Sequence, residues 1–292
     1  FPKNVPAEYV DINGERFICI QHMEQIPTFF LTMVSASDHW LFAATNGALS
    51  AGRNSPETAL FPYYTVDKII DNWNSTGPQT YIQKDNDCWE PFKPYTKKIF
   101  KIEQRLYKSI NGDTLIFEEI NHTLKLSFRY SWQSSEAFGF VRSSKLTNIG
   151  SESQLLNVVD GIANIMAAGI DSRTQQEYSC LTDAYKLSEL HPQQQLLVHR
   201  MAASLTDEAV PMESLLATTI WTHGWPDSRI LTRHEDAENY LQNPSTRSAS
   251  TIRATRGAFF NAGQVILNPE QSKEWSQVAE IEQSQSDVSA LK

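Results

Sequence analysis

The chain has 292 residues, with 25 Lys and Arg against 34 Asp and Glu, a net charge of −9, and 40% hydrophobic residues. A chain of this length buries roughly 75% of its unfolded surface, so a large core forms without metals or disulfides as staples. The acidic balance argues against nucleic-acid and anionic-membrane partners, because phosphate backbones and acidic headgroups repel such a surface. In chain order, Tyr9–Ile12 and Glu15–Ile20 flank Asn13-Gly14, a pair that tolerates the two positive φ angles of a type I′ hairpin turn. Lys97, Lys98 and Lys101 fall in a strand-like stretch and do not form a basic cluster. Asn111-Gly112, between Leu106–Ile110 and Thr114–Phe117, reads as a second copy of the hairpin device. From Thr123 to Trp132 the chain alternates, with Leu124, Leu126, Phe128, Tyr130 and Trp132 on one face, as in a half-buried antiparallel strand. Phe138–Arg142 and Leu155–Val159 follow as strands around a turn at Asn148–Ser151. Helical spacing is confined to Gln175–His191, enough for one or two turns, and to Glu235–Leu241. Strand patterns resume at Gln195–Ala203, Leu215–Trp225, Thr251–Ala262 and Glu274–Ile281. Many strands with few helices predict a mainly β chain of two large packed antiparallel sheets.

Three cysteines, Cys19, Cys88 and Cys180, are odd in number and far apart, so they make no disulfide framework and fit a reducing, cytoplasmic location. Ser35, Ser37, Asp38 and His39 interrupt the apolar stretch from Phe29 to Ala44, and no signal peptide is read. Gly47–Asn54 has the glycine spacing of a P-loop, but Arg53 and Asn54 stand where a lysine and a hydroxyl are needed, so it reads as a glycine-bearing turn between strands. Cys19 and His22 have no second ligand pair, and no metal site or cofactor is expected. Trp221, His223 and Trp225 recur at every second residue and would share one strand face, either as an aromatic platform for a sugar or as core aromatics. Asp207, Glu208 and Glu213 precede that strand, and two of them could make a glycosidase carboxylate pair or be solvated loop residues. The stretch from Leu60 through Asn74 gathers Tyr63, Tyr64, Asp67 and Trp73, suited to carbohydrate contact or to capping one end of a sandwich.

The stretch from Trp40 to Gly47 and on to Phe61-Pro62-Tyr63-Tyr64 resembles the N-terminal part of glycoside phosphorylases of the cellobiose phosphorylase type. Phe128–Tyr130, Gly139–Arg142, Asp160–Asn164, Thr206–Ala209, Trp275 and Val278–Glu280 fit the same picture. The resemblance implies a galactose-mutarotase-like super-β-sandwich over residues 1–280, with 281–292 beginning a linker towards an (α/α)6 barrel. In that family the general-acid aspartate and the phosphate-binding residues belong to the barrel, so no catalytic residue carries over. Starting at Phe1 and ending in a polar stretch, the chain reads as a piece of such an enzyme, a glycoside phosphorylase or hydrolase. The sandwich would support association, including a homodimer, pack on the barrel and lend loops to the substrate rim, with Arg53, Tyr63, Tyr64, Asp67 and Trp73 as rim residues. An exposed apolar face is expected where the barrel docks. Two other readings stand beside it: a stand-alone sugar-binding module using the Trp221/Trp225 face or the Tyr63–Trp73 loop, and a mutarotase-like aldose epimerase in which His223 and Glu213 act as acid and base.

Overall fold

Asn13 and Gly14 have φ angles of 52° and 85°, and the type I′ turn they make joins β1 (Ala7–Ile12) to β2 (Glu15–Gln21) in a paired hairpin. The computed structural model describes residues 7–203 and 214–292. The next strands, β3 (Phe30–Met33), β4 (His39–Ala44), β5 (Leu49–Arg53) and β6 (Ala59–Phe61), are short and lead into α1 (Val66–Asp71). Then come β7 (Gly77–Lys84), β8 (Asp87–Trp89), α2 (Thr96–Ile99), β9 (Ile102–Ser109), β10 (Leu115–Asn121), β11 (Leu126–Ser135), β12 (Gly139–Asn148) and β13 (Gln154–Ile165). The rest of the chain forms α3 (Ser172–Glu177), α4 (Ser179–Ala184), β14 (Lys186–His191), β15 (Leu196–Met201), β16 (Ala217–His223), β17 (Arg229–Leu231) and α5 (His234–Gln242). It closes with β18 (Thr251–Arg253), β19 (Gly257–Leu267), β20 (Ser272–Gln283) and α6 (Gln285–Leu291).

Every strand pair among the described residues is antiparallel. The pairs build an eleven-stranded sheet in the order β1-β2-β9-β10-β11-β12-β20-β16-β15-β14-β18. A five-stranded sheet runs β17-β19-β13-β7-β8, and a four-stranded one runs β3-β4-β5-β6. One apolar core joins all three: Phe128, Trp132 and Trp275 from the large sheet meet Val158 and Phe259 from the five-stranded sheet and Leu41 from the four-stranded one. This is the antiparallel sandwich that the strand-rich pattern implies. In β11 the alternation is as read, with Leu126, Phe128, Tyr130 and Trp132 buried and the residues between them half-buried.

A polar cross-link runs through this apolar interior. Asp160 of β13 and Arg142 of β12 are fully buried and paired through two contacts, Nη1 to Oδ2 at 2.7 Å and Nη2 to Oδ1 at 2.8 Å. The same carboxylate accepts from Thr80, Ser144 and the Trp275 indole at 2.6, 2.9 and 2.7 Å. Because Arg142 and Asp160 lie in different sheets, the pair ties the two layers together.

Several local readings need correction. Within Gln175–His191 only the first part is helical, because Lys186–His191 pairs with β15 and β18 as a strand. Lys97 and Lys98 lie in α2, and Lys101 follows it. At Asn111-Gly112 only Gly112 has a positive φ, 79°, and the loop runs from Ser109 to Thr114, closed by the Ser109 side chain accepting from the Asp113 and Thr114 amides. Thr123 to Lys125 belong to the turn before β11, and Thr251–Ala262 is broken into β18 and the start of β19. Gly47 makes the expected turn before β5, whereas Gly52 lies within that strand. Residues 281–283, expected in the linker, continue β20, and α6 follows behind a capping box formed by Ser284 and Asp287. No described helix is long and apolar enough to cross a membrane.

Candidate functional site

On β7, alternation sends Thr80 and Ile82 inward, to Asp160 and the core, and leaves Gln79 and Tyr81 on the outer face of the five-stranded sheet. Helix α5 covers that face by packing Ala237, Tyr240 and Leu241 against Tyr81, Val159 and Phe260. Between α5, β7 and the segment after β8 lies a cleft of about 640 Å³, whose walls include Trp73, Glu90, Lys93, Tyr95, His234 and Glu238.

The cleft's polar groups are held in place. Lys93 is buried, donates to Gln79 Oε1 at 2.5 Å and to the Trp73 carbonyl at 3.0 Å, and sits 5.0 Å from the Trp73 ring centroid. Burial brings its pKa down to about 8, with Glu90 opposing the shift. His234 Nε2 lies 3.3 Å from the Tyr81 hydroxyl and 3.6 Å from Glu238 Oε1, one turn along α5. Burial lowers the His234 pKa despite the Glu238 charge, which favours the neutral imidazole. Burial also raises the Tyr81 and Tyr95 hydroxyls, and Glu90 beside them adds to the effect, so both remain protonated donors. The Trp73 and Tyr95 rings stand 6.3 Å apart at 60°. Two rings flanked by amides, carboxylates and a neutral imidazole can stack against the C–H face of a sugar while the polar groups take its hydroxyls.

The lip of the cleft is anchored from the large sheet. Glu119 of β10 is fully buried and accepts from the Trp89 indole, the Phe92 amide and the Gln104 side chain at 2.6, 2.7 and 2.6 Å. This fixes the segment that carries Glu90, Lys93 and Tyr95, in which Phe92 has a left-handed φ of 66°. Burial pushes the Glu119 carboxyl up to about 7 against the pull of its three donors.

The residues singled out in the sequence are scattered. Trp73 enters the cleft, and Tyr64 packs with it around Ile69 and Ala48. Tyr63 meets Trp40 edge-on at 5.7 Å, and Asp67 is exposed in the first turn of α1. Arg53 is consumed by ion pairs with Asp38, just before β4, and with Glu280 of β20, both at 2.8 Å. Trp221 and His223 do share the outer face of the large sheet, where His223 pairs in register with Ser276 and Ser276 with Ser143. Trp225 does not join them. The strand ends at His223, Gly224 turns with φ 88°, and Trp225 is buried 5.0 Å from Trp275, so the three-residue platform is corrected to two. Trp221 is itself half-buried and, like Val288 of α6, packs against Leu196, Val198 and Ala217. Asp207, Glu208 and Glu213 lie outside the described residues, and so does the carboxylate half of the His223/Glu213 pair. Among the described residues no group of three or more His, Cys, Asp or Glu could hold a metal. Cys19 is a buried free thiol with its pKa raised by burial.

Lys93, Tyr95, Glu90, Tyr81, His234 and Glu238 were missed. The one usable signal was Trp89-Glu90-Pro91-Phe92-Lys93-Pro94-Tyr95, as dense in rings and charges as the Leu60–Asn74 stretch.

No family model and no curated protein matches the sequence. Among solved structures the chain is similar to a galactose mutarotase-like protein from Lactobacillus casei, at 9% identity and a TM-score of 0.47 over 87% of this chain and 100% of that one. A galactose mutarotase related enzyme from Lactobacillus acidophilus gives 8% identity and 0.45 over 86% and 97%. A polysaccharide lyase gives 10% and 0.44, and there this chain covers 89% of its own length but 33% of the other. The chain thus spans about a third of that lyase. The described strands themselves form a sandwich of antiparallel sheets.

Proposed function

We propose that the chain is a carbohydrate-contacting sandwich domain of a carbohydrate-active enzyme, supplying substrate contacts and association while another domain carries the chemistry. The cleft beside α5 carries this reading: Trp73 and Tyr95 offer stacking faces, and Lys93, Glu90, Glu238 and His234 surround them with hydroxyl partners. In the resemblance to glycoside phosphorylases that other domain is an (α/α)6 barrel, and the sandwich also builds the homodimer.

The test is a titration of the chain with neutral and acidic mono- and oligosaccharides, followed by tryptophan fluorescence and calorimetry. Saturable binding is expected, weakened about tenfold or more by Trp73→Ala, a loss of ~1.4 kcal/mol. Absence of binding to every sugar, or binding that Trp73→Ala leaves unchanged, refutes the reading.

A further inference from the structure

The chain is tightly held where it passes from β18 of the large sheet to β19 of the five-stranded one. Ala254 has a φ of 57°, in the left-handed region, and donates its amide to the Lys186 carbonyl of β14 at 2.9 Å. Backbone held in this region concentrates at functional sites. A Cβ on Gly257 would stand 2.8 Å from the His199 ring, so only glycine lets the chain pass there. Between these two fixed points stands Arg256. Its Nε donates to Asp183 Oδ2 at 3.0 Å, and the other Asp183 oxygen accepts from the buried Lys186 ammonium at 2.7 Å. Asp183 thereby orients the guanidinium, while Nη1 and Nη2 make no hydrogen bond among the described residues.

Arg256 lines a hollow of about 220 Å³ together with Ser75, Asn74 and His234, and the last two also line the cleft, so the two spaces adjoin. In the cleft Glu90 and Glu238 stand against Lys93, which leaves its walls net negative. The hollow has no carboxylate in its walls, and its one formal charge is Arg256. A guanidinium held at Nε offers its Nη edge as a flat pair of donors, which matches the two oxygens of a carboxylate. One such cation balances a single negative charge, and no second cation stands in the walls to balance a dianion.

We propose that the hollow takes the carboxylate of an acidic sugar, with Arg256 as its ion-pair partner, and that the ligand joins this uronate unit to a neutral unit lying on Trp73 and Tyr95. This rests on the sugar reading of the cleft. Calorimetric titration of the chain with cellobiose, maltose, cellobiouronate and maltobiouronate tests it, using wild type, Trp73→Ala and Arg256→Gln. In at least one pair the uronate should bind about tenfold tighter than its neutral disaccharide. The methyl ester of that uronate keeps the shape without the charge and should lose the advantage on the wild-type chain, which tests the ion pair with no substitution at all. Arg256→Gln should bring the uronate down to its neutral partner, with circular dichroism checking that the fold is kept. Trp73→Ala should weaken both members of the pair by about tenfold. Neutral binding that depends on Trp73 but that the carboxylate does not improve overturns the acidic sub-site and leaves the cleft. An advantage that survives in the ester or in folded Arg256→Gln overturns the ion pair. The 6′-phosphate of the same disaccharide binding tighter than the uronate overturns the carboxylate in favour of a phosphate. If no sugar binds wild type, the reading of the cleft falls as well.

Discussion

Asp160→Asn should destabilise the sandwich by about 4 kcal/mol, because breaking one side of a buried ion pair leaves the other charge uncompensated at a cost of about 3–5 kcal/mol. Here the neighbours worsen the loss. The Oδ2 side meets Arg142 Nη1, Ser144 and Trp275, while the Oδ1 side meets Thr80 and Arg142 Nη2. Thr80 and Ser144 can rotate a hydroxyl to accept from an amide, but the guanidinium and the indole cannot. Either orientation of the substituted carboxamide therefore sets its NH2 against at least one guanidinium N–H. Arg142 is 1% exposed and cannot turn to water instead. At roughly 2 °C per kcal/mol for a chain of this size, the thermal midpoint should fall by about 8 °C. Urea unfolding followed by circular dichroism measures the free energy, and Arg142→Met with the double variant completes the cycle. The neutral double variant should lose less than the sum of the singles, by about 2 kcal/mol. A loss below about 1 kcal/mol for Asp160→Asn, or strict additivity, refutes the claim that this pair ties the sheets together.

Two further predictions concern pH. Glu119 titrates near 7 in the folded chain against an ordinary value of 4.5, so between these values the folded state holds a proton the unfolded state has lost. Its contribution to stability is then lost as pH rises from 4.5 through 7, by up to ~3 kcal/mol, and urea unfolding at several pH values should show a smaller decline over that window in Glu119→Gln. His199 shows the opposite sense. It is fully buried, its Nδ1 lies 2.9 Å from Ser188 Oγ, and burial holds its pKa to about 3 from 6.5. Below pH 6.5 the unfolded state takes up the proton first, so stability should drop towards pH 3 by up to ~5 kcal/mol. Acid unfolding of His199→Gln should be correspondingly less steep, and identical acid profiles for the two chains would contradict the neutral imidazole.

How much of the molecule could be read from its residues follows the range of the forces involved. Hairpin and strand signals were legible where the cause is local: Asn13-Gly14 carries its own turn, and the alternation from Leu126 to Trp132 carries its own inner face. The helix of His234–Gln242 was visible to within one residue at each end for the same reason. Lys186–His191 was misread because Leu187 and Leu190 loosely continue the three- and four-residue spacing of Tyr178, Leu181 and Tyr185, and pairing with β15 and β18 overrode the pattern. Trp221, His223 and Trp225 look equivalent in a period of two, but Gly224 breaks that period and sends Trp225 into the core.

The amino-acid sequence by itself determined a mainly antiparallel chain with a large apolar interior, because alternation, turn chemistry and composition act over a few residues at a time. Tertiary structure alone decided the site. Trp73, Lys93 and His234 span more than half the chain, and they meet only because β13 pairs with both β7 and β19 while α5 packs across that face. Neither the Arg142–Asp160 pair between the layers nor the set of three donors around Glu119 has a local signature. Each exists because long-range pairing removes water from a polar group and dictates which neighbour is left to bond with it.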